Sequence, residues 1–188
     1  MNEKKTEKLR FGADGTFRVL MMSDLQESPQ YDPRSLRSVE VLLDECRPDL
    51  VILGGDNCYG PEIGSEQDLT DFLNIFIEPL ERRGIPWAHV FGNHDHDVPV
   101  CAARQQELYE SFSTCISRHT GDDVHGKSNF VLPVYDHSGE KVLFNVWGLD
   151  TNHTAGDMDH LIPGGGMAHA AILPNNPLQA GVWGTLFF

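Results

Sequence analysis

Short apolar runs and longer stretches of helical periodicity take turns along the first two thirds of the chain. Residues 17–22 (FRVLMM) end at Ser23 and Asp24, and after Pro33 the apolar residues Leu36, Val39, Leu42 and Leu43 recur at the spacing of one helix face. A second cycle follows at once. Residues 50–53 (LVIL) close on Gly54, Gly55 and Asp56, and Leu69, Phe72, Leu73, Phe76 and Leu80 mark the next amphipathic helix. The third cycle runs from residues 86–91 (PWAHVF) through Gly92, Asn93, His94 and Asp95 to a helix expected between residues 102 and 117. Apolar runs without alternation are the mark of strands covered on both faces, as parallel strands are. The strand ends lie roughly thirty residues apart, the length a βαβ unit requires. Three such units in tandem predict an α/β fold, a doubly wound βαβαβ core on a parallel sheet.

Beyond residue 125 the texture changes. Residues 129–135 and 141–149 read as two strands joined by a turn at residues 136–140 (DHSGE), a β-hairpin expected to extend the sheet. Residues 1–15 are polar and end in the turn of Asp14 and Gly15, so they read as a flexible leader, with residues 16–188 as a single domain. From Asp150 onward the chain is rich in Gly, Pro and Asn, lacks periodicity, and stops on GVWGTLFF. A domain that leaves its last aromatic rings in water forgoes about 1.5–3 kcal/mol of burial per large side chain. The C-terminal part is therefore expected to be incomplete, truncated from a longer polypeptide.

Composition narrows the classes of function. The chain of 188 residues is 40% apolar and 22% charged, ordinary for a globular protein able to bury one sizeable core. Its formal charge of -14, from 14 Lys and Arg against 28 Asp and Glu, opposes attraction to nucleic acid and to anionic lipid, and neither partner is expected. Phosphate chemistry is compatible with that field where bound cations reverse it locally. Cys46, Cys58, Cys101 and Cys115 show no CxxC pairing and read as free thiols. With no signal-peptide core and no run approaching a membrane span, the expectation is a cytoplasmic protein. Oligomeric state leaves no trace in the sequence.

In an open α/β sheet, ligands bind beyond the carboxyl ends of the strands. Asp24, Asp56, and Asn93 with His94 each follow an apolar run, so the register gathers two carboxylates, an amide oxygen and an imidazole at one crevice. That set suits metal ligation and proton transfer. Any one of the clusters could be a helix cap or a turn former; three in matching positions point to a site. No GxGxxG or GxxxxGK[ST] follows a strand, which argues against a nucleotide-binding fold.

Asp24, the block of Gly55, Asp56 and Asn57, and above all the GNHD block at residues 92–95 resemble the signature blocks of calcineurin-like metallophosphoesterases, over about residues 17–150. The resemblance implies an α/β sandwich, a pair of metal ions about 3–4 Å apart (Mn, Fe, Zn or Mg), and hydrolysis of a phosphoester substrate by attack of a metal-bridged hydroxide. Carried over by position, it makes Asp24 a ligand of the first metal, Asp56 the bridging carboxylate and Asn93 a ligand of the second. His94 becomes the catalytic imidazole, able to protonate the leaving oxygen.

The match has departures. The first block of the family usually reads D-x-H, whereas Gln26 stands here in place of the imidazole, a weaker oxygen donor that favours oxygen-preferring metals. Tyr59 falls at the Tyr of the G-D-x-x-Y block of the purple acid phosphatase branch and is either a weaker phenolate ligand or an aromatic packed under its loop. The family's later lone His and G-H-x-H block are not found. His119, His125, His137, His153, His160 and His169 lack that setting, although His153 follows a strand and could face the crevice. His96 and Asp97 read as solvated loop residues, Asp95 as an aid in positioning the loop or His94, and His89, within the third strand, as a structural histidine. Two functions stay open: a metal-dependent phosphoesterase, whether phosphatase or phosphodiesterase, or a degenerate or truncated non-catalytic domain that binds metal or phosphate.

Overall fold

The computed structural model describes residues 8–118 and 126–150 in full, and Leu186–Phe187 by backbone alone. At its centre lie three parallel strands, β2 (Val19–Met22), β3 (Leu50–Leu53) and β4 (Trp87–His89), in that spatial order; a two-residue strand, β1 (Leu9–Arg10), precedes them in the chain. Register pairs Leu20 with Val51 and Ile52 with Ala88.

The intervening helices begin where local chemistry permits. Helix α1 (Pro33–Cys46) is entered through Asp32, whose carboxylate accepts from the Arg34 amide at 2.9 Å, and Pro33 needs no amide partner in the first turn. In α2 (Glu66–Glu81), Ser65 caps the Asp68 amide while its own hydroxyl donates to the Asp68 carboxylate at 2.8 Å.

Because the strand order runs monotonically, right-handed crossovers carry successive helices to one face of the sheet. One core accordingly joins Val39 and Leu43 of α1 and Leu69, Phe72, Leu73 and Phe76 of α2 to Met22, Val51, Leu53 and Trp87. The opposite face, with Leu50, Ile52, Ala88 and Val90, is covered by a second sheet rather than by helices. The doubly wound arrangement expected from tandem units would need the strand order to reverse, and among the described residues it does not.

That second sheet has the order β1-β5-β6-β7, with β5 (Phe130–Tyr135), β6 (Val142–Gly148) and β7 (Leu186–Phe187). Phe130, Leu132, Val134 and Val146 supply its buried face. The predicted hairpin forms, with Asp136 accepting from the Glu140 amide at 3.0 Å across its turn. It does not extend the central sheet; it builds the layer stacked on it, because the alternation of Phe130, Leu132 and Val134 gives β5 an apolar face to bury. Residues 8–11 belong to this layer too, which corrects the reading of residues 1–15 as a flexible leader. Leu9 pairs with Val134 and is buried, and the Phe11 ring meets those of Phe17 and Phe144.

Helix α3 (Ala102–Ser111) ends short of residue 117. The chain is drawn back beside β4, where the Trp87 amide donates to Thr114 O at 3.1 Å and the Ile116 amide to Trp87 O at 2.8 Å. The Glu81 carboxylate at the end of α2 accepts from the amides of Ser113 and Thr114, at 2.9 and 2.7 Å, and holds the turn. Among the described residues no helix is long and apolar enough to cross a membrane, and all four cysteines are free.

His89 is wholly buried in β4, as a structural histidine should be. Its ring stacks on Tyr109 with centroids 4.0 Å apart, and Nδ1 lies 3.1 Å from Ser117 Oγ. Burial pushes its pKa from 6.5 down to about 3. Between those values the unfolded chain binds the proton and the folded chain does not, so this residue makes stability fall as pH drops from about 6.5 towards 3. Replacing His89 by Phe should remove that contribution. Urea midpoints measured at pH 7 and pH 4 should show the variant gaining on the wild type as the solution is acidified; a constant difference would exclude His89 as the source.

Candidate functional site

The three loops leaving β2, β3 and β4 meet at the carboxyl edge of the central sheet. Hydrogen bonding continues past the strands: the Gly54 amide donates to Met22 O at 2.7 Å, Asp24 to Gly55 O at 3.0 Å, Gln26 to Asp56 O at 3.1 Å and Tyr59 to Glu27 O at 2.8 Å. This main-chain ladder holds Asp24, Gln26 and Asp56 in the left-handed region, with φ of 56°, 43° and 50°. Such conformations cost about 1–3 kcal/mol each outside glycine and persist where surrounding structure imposes them.

Between the second and third loops, two glycines make room for close contact. A Cβ on Gly55, whose φ is 100°, would lie 2.4 Å from the Gly92 nitrogen, and one on Gly92 would lie 2.2 Å from Asp56 Oδ1. The approach lets the His94 amide donate to Asp56 Oδ1 at 2.8 Å. Asp56 is partly buried, and burial, followed by the neighbouring charges of Asp24 and Asp97, raises its pKa against the lowering effect of His94. Asp24, at the surface, accepts from Ser23 Oγ at 2.5 Å.

His94 opens a 3-10 turn, His94–His96, and its Nδ1 lies 2.7 Å from Asp97 Oδ2. That hydrogen bond is the main reason its pKa is raised, with the Asp56 and Asp97 charges adding to it against a small burial penalty. Both side chains are about 50% exposed, so the dyad lies open to solvent. A close fit sets the Asp97 backbone: a Cβ on Gly60 would lie 2.5 Å from Asp97 Cβ. Asp95, between them, is fully buried, and burial pushes its pKa up to about 6 despite the main-chain amides that point at it.

The structure thus brings Asp24, Asp56 and the Asn93–His94 loop to one edge, as expected. Asn93 is the partly exposed residue just before the 3-10 turn. Gln26 is exposed one residue beyond Leu25 on the Asp24 loop, and Tyr59 is 42% exposed, not packed under its loop. The reading of His96 as solvated is corrected, while Asp97 is exposed as expected but has a partner the reading did not foresee. The His96 ring meets the Phe91 ring edge-on at 5.9 Å, and Asp97 is the partner of His94. The signal for that pair was the i,i+3 spacing, which one 3-10 turn brings to the same side. His137 is exposed, with Nδ1 3.3 Å from Phe11 O; His119, His125, His153, His160 and His169 lie outside the described residues.

Can these residues hold a metal? Asp24 and Asp56, with Asn93 and Gln26 on the same set of loops, supply the oxygen-donor chemistry of a hard divalent cation site, and the Asp24 charge opposes ionisation of Asp56. Among the described residues no three His, Cys, Asp or Glu side chains close on one point that could hold an ion. The donors fit part of a metal shell.

A family model described as calcineurin-like phosphoesterase matches residues 17–168. Similar curated proteins include the "Probable inactive purple acid phosphatase 28" of Arabidopsis thaliana, 35% identical over 105 residues that cover 47% of this chain and 26% of that protein. "Phosphatase DCR2" of Saccharomyces cerevisiae is 24% identical over 177 residues, 84% of this chain and 30% of its own length. The "Probable inactive purple acid phosphatase 14" of Arabidopsis thaliana is 25% identical over 167 residues, 76% of this chain and 41% of its own. The chain spans less than half the length of these relatives.

Proposed function

The chain belongs to the calcineurin-like phosphoesterase family, and from that footing we propose that it is a metal-dependent phosphoesterase, a phosphatase or phosphodiesterase, acting at the Asp24, Asp56, Asn93 and His94 edge. The observation that carries the reading is the hydrogen-bonded coupling of the loops: the Asp24 amide donates to Gly55 O at 3.0 Å, and the His94 amide to the Asp56 carboxylate at 2.8 Å. Two cations held there by Asp24, Asp56 and Asn93, with weaker help from Gln26 and Tyr59, would neutralise phosphoryl oxygens and acidify a bound water.

The protein's own residues do the rest. Asp56, which feels the charges of His94, Asp24 and Asp97, would be the carboxylate to hold both ions. His94, exposed and kept protonated to higher pH by Asp97, is able to hand a proton to the leaving oxygen. The free thiols of Cys46, Cys58, Cys101 and Cys115 support a reducing compartment such as the cytoplasm.

A second reading is favoured by Gln26 in the place of an imidazole and by the names of two relatives that call them inactive. It is a non-catalytic domain that binds metal or phosphate.

One experiment separates the two. With Mn(II) supplied, the 188-residue chain should turn over p-nitrophenyl phosphate or its bis-ester. EDTA should stop the reaction, Asp56→Ala should abolish it, and calorimetry should count two ions per chain. One ion or none, with no turnover of either ester, would leave the non-catalytic reading standing.

A further inference from the structure

We infer that Asp95 is the positioning residue of this site, its carboxylate setting the distance between the Asp56 loop and the loop of Asn93 and His94 by gripping the backbone of both. The inference rests on the phosphoesterase reading only for what the spacing serves. Asp95 is completely buried. Its Oδ2 accepts from the Asp56 and Gly92 amides, each at 2.8 Å, and its Oδ1 from the Asn57 amide at 3.0 Å, with the Cys58 thiol at 3.8 Å. Amides from two different loops therefore converge on one side chain.

The grip is anchored from behind. Gln105 of α3 donates its side-chain amide to Asp95 O at 2.7 Å and to Val100 O at 2.8 Å, so the turn carrying Asp95 is fixed to a helix. In front, the Asp56 amide belongs to a residue with φ of 50°. Without its acceptor that peptide has reason to swing out of the left-handed region, and the Asp56 carboxylate would swing with it.

A carboxylate suits the place because it is acceptor-only, with about four lone-pair positions. An asparagine side chain of the same shape has one acceptor oxygen, so its NH2 must face either the Asn57 amide or the Asp56 and Gly92 amides together. Burial keeps bulk solvent from relieving the conflict, and the expected result is that the Asp56 segment gives way, either at Asn57 or at Asp56 together with Gly92. This differs from a general contribution to folding, which would weaken the molecule without altering how the folded form binds cations.

Asp95→Asn distinguishes the two. Mn(II) affinity, measured by calorimetry at a temperature where melting curves show both proteins folded, should weaken about 10- to 100-fold, the range typical of residues that support metal ligands from behind. Hydrogen exchange followed by NMR should show protection lost at Asp56, Asn57 or Gly92 while the Val51 amide within β3 stays protected. An affinity unchanged from wild type, with only the melting temperature lowered, would overturn the inference.

Should Asp95→Asn fail to fold, Gln105→Leu removes the rear anchor and leaves the carboxylate intact. It should also weaken Mn(II) binding, and an unchanged affinity would again overturn the inference. If the wild type takes up no Mn(II), the phosphoesterase reading fails separately, and amide exchange alone decides. Protection of the Asp56, Asn57 and Gly92 amides that depends on Asp95 upholds the grip, and fast exchange at all of them in the wild type refutes it.

Discussion

His94→Ala should lower kcat for phosphoester hydrolysis by about 10²- to 10⁴-fold, the span that a positioned general acid supplies. The loss should be larger for an alkyl phosphate than for p-nitrophenyl phosphate, because nitrophenolate departs without a proton and an alkoxide does not. Mn(II) affinity should stay near the wild-type value, since His94 meets Asp56 through its main-chain amide, which alanine keeps. Asp97→Asn should give a smaller loss and a pH signature. The bond from Asp97 raises the His94 pKa, so removing it lets the imidazole lose its proton earlier on the way up the pH scale. The alkaline limb of kcat should then move to lower pH. An unchanged rate in His94→Ala with both substrates would remove this residue from the chemistry.

Gly55→Ala should be the most destabilising glycine replacement around the sheet edge, and Gly84→Ala calibrates it. Both glycines have positive φ, 100° and 64°, but a Cβ on Gly84 meets nothing within 4 Å, whereas one on Gly55 would press on the Gly92 backbone. Gly84→Ala therefore bears only the conformational penalty, about 1–2 kcal/mol. Gly55→Ala adds an overpacking cost of about 1–3 kcal/mol and forces apart the loops that carry Asp56 and His94. Urea titrations of the two variants should show the larger fall for Gly55→Ala, accompanied by loss of Mn(II) binding in that variant alone. Equal losses would mean that the loops tolerate separation.

The local elements were legible because their signals are local. Asp32 and Pro33 announce α1, and its observed bounds, Pro33–Cys46, coincide with the periodic stretch. The run LVIL is β3 residue for residue. Asp24, Asp56 and His94 could be placed at one edge because each follows a strand-forming run.

Features that depend on distant partners were not legible. Leu9 becomes a strand residue only by pairing with Val134 far along the chain, and nothing around Leu9 advertises it. Whether the hairpin joins the central sheet or stacks on it turns on which apolar face meets Leu50 and Ile52, a tertiary matter. Asp95 is the hardest case. The sequence reads it as an aid in positioning the loop or His94, but its burial becomes intelligible only once the amides of Asp56, Asn57 and Gly92 are seen to surround it.

The left-handed backbone at Gln26 limits which amino acids this position can accept. At φ of 43° a β-branched or bulky side chain is a true outlier, while asparagine, aspartate and histidine are the non-glycine residues enriched in that region. Histidine therefore suits the main chain at residue 26 better than the glutamine now there. An imidazole could be introduced at this point without rebuilding the loop, and the obstacle to a D-x-H block in this protein is a matter of residue identity, not of backbone shape.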